Sequence, residues 1–136
     1  MPTRLIGGLL GIEEITQDST VDPGFFEGNN LRLADARSGI WLLVELLSPK
    51  TVWMPSFACK VMIEAVEKAG VPVCHFDLNY DMKLNSLDWI DQVQTNDLVI
   101  LLDYMGYPSD TDCVHQLQKK KVWILEDASQ AWPSNI

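Results

Sequence analysis

The sequence predicts an α/β fold, a three-layer sandwich in which helices cover both faces of a mostly parallel sheet. Two observations carry that expectation. Apolar segments alternate between strand-like and helix-like periods along the chain, and the strand-like segments lack the apolar–polar alternation of a sheet with one wet face. With 136 residues, 47% hydrophobic and 21% charged, the chain can bury one modest core, so one domain or part of one is expected.

Residues 1–30 read as an irregular, polar, glycine-containing lead-in. Arg4 precedes an apolar run from Leu5 to Ile12, but Gly7, Gly8 and Gly11 interrupt it and no small-residue cleavage site follows. Neither a signal peptide nor a membrane span is expected. Leu31 to Ala34 is a short candidate strand. Gly39 to Leu47 follows as a nearly all-apolar helix, which should be buried on most of its surface.

The next elements repeat the alternation. Thr51 to Met54 is β-branched and aromatic, Pro55-Ser56 breaks it, and Ala58 to Lys68 resumes a helical period that Ala69-Gly70 ends. Val71 to Leu78 is a strand closed by Asn79-Tyr80-Asp81, and Ser86 to Val93 a short helix with Ser86 at its N-cap. Asp97 to Asp103 is a strand with a wholly apolar interior, Gly106-Tyr107-Pro108 a turn, Asp110 to Lys119 a helix and Lys121 to Leu125 the last strand.

Charge and cysteine content narrow the partners. A net charge of −9 and a pI near 4.4 oppose binding to nucleic acid or anionic lipid, both of which call for a Lys/Arg surplus. Lys119-Lys120-Lys121 is the only basic run and reads as a solvated helix end. Cys59, Cys74 and Cys113 have no paired spacing, and His75 and His115 lie far apart, so reduced thiols in a cytoplasmic protein without a metal site are expected.

In a parallel sheet the carboxyl ends of the strands form the ligand crevice. Asp127 follows the apolar run Val122-Trp123-Ile124-Leu125 with one residue between, where a carboxylate needs a cation or hydrogen-bond donors. A protonated heterocycle nitrogen would serve, and Gln130 can reach the same side. Ahead of the buried helix, Asp35-Ala36-Arg37-Ser38-Gly39 offers free backbone N–H groups to an anion such as phosphate, or Ser38 is simply its N-cap.

Glu126-Asp127-Ala128-Ser129-Gln130-Ala131 resembles the E-D-A-A-Q-A segment of the DegT/DnrJ/EryC1/StrS family, the pyridoxal-phosphate-dependent sugar aminotransferases of fold type I. Three further segments agree in order. Ala36-Arg37-Ser38-Gly39-Ile40 is similar to that family's G-[RT]-x-A-L phosphate segment and Met54-Pro55-Ser56-Phe57-Ala58-Cys59 to its V-P-S-F-T-F segment, while Asp103 to Asp110 looks like its H-L-x-G-x-P-x-D. The match spans roughly residues 31–132. The resemblance implies a pyridoxal 5'-phosphate site in which Asp127 pairs with the pyridinium nitrogen, Gln130 lies near the ring hydroxyl, and Ala36, Arg37 and Ser38 cradle the phosphate.

Three residues depart from the family pattern. Cys59 replaces an aromatic that would stack on the pyridine ring, leaving Phe57 as the nearest substitute; Asp103 replaces a frequent His; Ala36 replaces a frequent Gly. The family's Schiff-base lysine follows the E-D-A-A-Q segment by several tens of residues, and no lysine follows Asp127 here. Lys60 and Lys68 belong to the solvated face of a helix, so no catalytic residue is assigned.

The expectation is therefore a single incomplete domain, the N-terminal portion of an aminotransferase-like protein acting on keto-sugars with an amino donor, inactive alone and joined to a homo-oligomer or a completing C-terminal half. Its strands would either leave an open edge or settle into a four-stranded parallel sheet in a flavodoxin-like order. A non-catalytic binding domain with the same fold is the alternative. A small flavodoxin-like nucleotide or response-regulator domain, with Asp103, Glu126 and Asp127 imitating its acidic cluster, is the third reading; the first strand ends in no acidic pair and no suitable lysine follows.

Overall fold

The structure, a computed structural model, describes residues 31 and 33–131; the lead-in expected over residues 1–30 lies outside them. Strands and helices alternate in chain order: α1 (Ala36–Leu47), β1 (Val52–Pro55), α2 (Lys60–Lys68), β2 (Val73–Phe76), β3 (Leu98–Leu102), α3 (Thr111–Lys119) and β4 (Trp123–Asp127). Short 3-10 turns cover Asp88–Gln92 and Tyr104–Gly106. The four strands form one sheet in the order β2-β1-β3-β4, and every pairing is parallel.

The period-two geometry of β3 explains the three layers. Leu98 and Ile100 point to one face, into a core shared with Ile40 and Val44 of α1 and Met62, Ala65 and Val66 of α2. Val99 and Leu101 point to the other, where they meet Trp53, Phe76, Trp89 and Leu117. With both faces dry, β1 and β3 have no use for polar alternation. Each fully buried Leu, Ile or Met contributes roughly 1.5–3 kcal/mol.

Several boundaries differ from the sequence reading, each for a local reason. α1 begins at Ala36 because Asp35, not Ser38, is its N-cap: the Asp35 carboxylate accepts the Ser38 N–H at 2.7 Å. Its burial is one-sided, with Ile40 and Val44 enclosed while Trp41 and Leu46 are exposed, the latter at 71%. Leu31, Leu33 and Ala34 are not in a strand; Leu33 is exposed and no described segment pairs beside it. β4 runs two residues past Leu125, since its ladder with β3 continues to Leu102 opposite Asp127.

Lys120 corrects the reading of the basic run as a solvated end. Its ammonium donates to the carbonyls of Ile90, Asp91 and Val93, at 3.0 and 3.1 Å for the last two, and so closes the C-terminal end of the 3-10 turn. The glycine expected to end α2 does so, Gly70 having a φ of 75° that an L side chain rarely adopts. No helix among the described residues is long and apolar enough to cross a membrane.

Candidate functional site

The carboxyl ends of β1, β3 and β4 and the N-terminus of α1 converge on one cleft of about 600 Å³. Ala36, Arg37, Asp127 and Gln130, four of the five residues proposed from sequence, line it together. Parallel pairing is the cause: it puts the carboxyl ends of all four strands on one edge of the sheet. The fifth residue, Ser38, does not line the cleft; its N–H and hydroxyl both turn back to Asp35.

Asp127 closes β4 and is half-buried. One carboxylate oxygen accepts the Ser129 N–H at 2.9 Å, while its backbone carbonyl accepts the Asp103 N–H at 3.1 Å, which locks the strand end against β3. Gln130 reaches across the same gap, its side-chain carbonyl accepting the Met105 N–H at 3.4 Å. Met105 and Gly106 both take positive φ, 53° and 83°, so the chain turns sharply at the cleft mouth and leaves the Met105 side chain exposed.

At the other end of the cleft, Asp35 gathers the donors of the helix start. Ser38 gives it an N–H and a hydroxyl at 2.7 and 2.8 Å, and the Arg37 guanidinium donates to its second oxygen at 3.1 Å. These bonds, the Ser38 N–H first, hold the Asp35 carboxyl down at about 2. The helix end expected to offer free donors to an anion thus already holds an anion of its own.

Asp103 is buried beside the cleft, accepting the N–H and the hydroxyl of Ser109, each at 3.0 Å. Glu126, its neighbour across the strands, is raised above the ordinary carboxylate range by loss of hydration and then by the charge of Asp103. No group of three or more metal-ligating side chains occurs among the described residues.

Sequence reasoning missed the walls of the cleft. Met82 arrives from the loop whose Asn79 side chain accepts the N–H groups of Asp81 and Lys83, a local turn that Asn can signal but whose destination no local pattern gives. Tyr104 stands in the segment matched to a family leucine and, with Met82 and Leu102, borders both this cleft and a second cavity of about 470 Å³. Of the aromatic stand-ins, Phe57 lines the cleft and its ring lies 6.2 Å from that of Tyr104, tilted by 55°. Cys59 lines it too, as an exposed thiol.

Among solved structures, a 3-amino-5-hydroxybenzoic acid synthase superposes with a TM-score of 0.61 at 18% identity, over 70% of this chain and 26% of its own. A candidate sugar aminotransferase of Streptococcus pneumoniae in its PLP form gives 0.58 at 16%, over 71% and 30%. A DegT DnrJ EryC1 StrS aminotransferase from Brucella abortus gives 0.52 at 20%, over 68% and 28%. The fold is part of the fold type I aminotransferase fold. This chain spans less than a third of the length of these fold type I proteins. No family model and no curated protein matches the sequence.

Proposed function

We propose that this segment is the cofactor-binding portion of a pyridoxal-phosphate-dependent aminotransferase-like protein, a single incomplete domain acting on keto-sugars with an amino donor. One observation carries the reading: Arg37, Asp127 and Gln130, drawn from both ends of the described chain, share one cleft at the carboxyl edge of the sheet. A volume of about 600 Å³ is in the range of small-molecule sites. Asp127 is the residue for a pyridinium nitrogen, since a carboxylate there keeps the ring protonated, and Gln130 lies beside it. When bound, the cofactor would supply an electron sink. No lysine follows Asp127 in these residues, so on this reading they do not transaminate by themselves.

The ring end of the cleft suits the cofactor; the phosphate end, as folded, does not. Asp35 already takes the Ser38 donors and the Arg37 guanidinium, and a phosphate dianion would meet that carboxylate. This favours the second reading, a non-catalytic domain that keeps the fold. On either reading the protein assembles with copies of itself or with a completing half, and acts in the cytoplasm.

Titration of the full-length protein with pyridoxal 5'-phosphate, followed by absorbance and tryptophan fluorescence, tests the first reading. Saturable uptake that Asp127→Ala abolishes is the expected result. Uptake absent from the wild type, or indifferent to Asp127→Ala, leaves the non-catalytic reading standing.

A further inference from the structure

We propose that the second cavity, of about 470 Å³, is a site for a free α-amino acid with a bulky apolar side chain. It shares only Met82, Leu102 and Tyr104 with the cleft of Asp127, and the assignment stands whether or not that cleft takes a cofactor.

The lining is held in place by bonds within the chain. Its apolar part includes Pro55, Phe76 and Leu101, all buried, and the Phe76 ring is stacked on Trp89 with centroids 4.1 Å apart. One wall is the turn between Leu78 and Leu84, which bridge each other antiparallel. Within that turn the Asn79 N–H donates to the Lys83 carbonyl at 2.7 Å, and the Asn79 side-chain oxygen accepts the N–H groups of Asp81 and Lys83 at 2.9 and 3.0 Å. A second wall runs from Tyr107 to Asp110. The buried Asp103 carboxylate anchors it through the N–H and hydroxyl of Ser109, and Asp110 accepts the Cys113 N–H at 2.9 Å as the cap of α3. Walls fixed in this way leave little for a ligand to order.

The polar lining offers charges of both signs. The Lys83 ammonium and the Asp81 carboxylate, two residues apart in one turn, form no side-chain hydrogen bond or ion pair among the described residues. A carboxylate for Lys83 and an ammonium for Asp81 belong together on one zwitterionic head group. The buried apolar residues then receive the side chain, whose removal from water drives binding. A simple anion suits the cavity less well, because Asp81 and Asp110 border it against a single lysine on a chain of net charge −9. The volume lies within the range of small-molecule sites.

Equilibrium dialysis of the full-length protein against labelled L-phenylalanine tests the assignment, with L-leucine, L-alanine and phenethylamine as competitors. Saturable binding is expected, displaced by leucine. Alanine, which lacks the apolar side chain, should compete about tenfold less well or worse. Phenethylamine, which lacks the carboxylate, should also be the weaker competitor. Lys83→Gln and Asp81→Asn, both at exposed positions, should each weaken binding about five- to tenfold, the worth of one hydrogen bond at a partly open site, without lowering the melting temperature. Asp127→Ala should leave phenylalanine binding as it is.

No saturable uptake of phenylalanine or leucine overturns the proposal. So does uptake that either Lys83→Gln or Asp81→Asn leaves intact, or that Asp127→Ala abolishes, since the amino acid would then sit elsewhere. Phenethylamine or alanine competing as well as leucine overturns it without any variant, because the zwitterion or the apolar side chain would then not be read.

Discussion

The buried carboxylate of Asp97 accepts the indole N–H of Trp53 at 3.1 Å, across 44 residues of sequence, and the Gln94 N–H at 2.8 Å. It sits at the amino end of β3, opposite the cleft. Asp97→Ala leaves the buried Trp53 indole N–H and the part-buried Gln94 N–H without this partner and is expected to cost about 1–3 kcal/mol. Urea denaturation measures this, and cofactor affinity of the folded fraction should not move.

At the cleft itself, Asp127→Asn keeps the shape and removes the charge. Loss of a charge-assisted hydrogen bond to a ring nitrogen should weaken pyridoxal 5'-phosphate binding about 10- to 100-fold. Titration against pyridoxal, which lacks the phosphate, should show the same factor, because the residue acts at the ring.

Asp35→Asn separates the cap from the charge. Asn caps a helix nearly as well as Asp, so α1 should survive, while the repulsion against a phosphate disappears. We expect wild type to bind pyridoxal and its phosphate with similar affinity and Asp35→Asn to prefer the phosphate. A wild type that already prefers the phosphate strongly would show that Asp35 yields the seat.

Acid titration follows from the same contact. Because the folded Asp35 carboxyl is depressed to about 2, its bonds stabilise α1 above the unfolded value near 3.9, and that contribution is lost as pH falls through about 2. Circular dichroism between pH 5 and 1.5 should show an acid-induced loss of helix that is shallower in Asp35→Asn.

The thiols should separate by reactivity. Cys113 is buried and burial pushes its thiol up to about 12, whereas Cys59 is exposed at the cleft. Timed alkylation with mass spectrometry should label Cys59 first and Cys113 only on unfolding.

Much of the fold was legible because the strands are buried on both faces. Val52 to Met54 and Leu98 to Leu102 carry no polar residue, a pattern that parallel sheets require and few other contexts tolerate. The element ends were less legible, since they depend on partners. Asp35 outcompetes Ser38 as the cap of α1 by lying three residues ahead of it. Glu126 and Asp127 join β4 only because β3 offers a ladder that far. Lys120 looked solvated beside two other lysines, and only the 3-10 turn folded against it supplies its three carbonyls.

The site was legible in part for a related reason. Arg37, Asp127 and Gln130 stand in segments whose residue types mark them out. Tyr104 and Met82 are ordinary residues made important by what surrounds them, and no local pattern carries that.

The arrangement of the cleft also fixes when it comes into being. Arg37 precedes Asp127 in synthesis, and the two share the cleft only once β4 has docked on β3, the last parallel pairing among the described strands. Contacts so distant in sequence form slowly. A nascent or partly unfolded chain can therefore keep α1, β1 and β2 while having no ligand site at all, and a bound ligand would act as a brake on the release of β4.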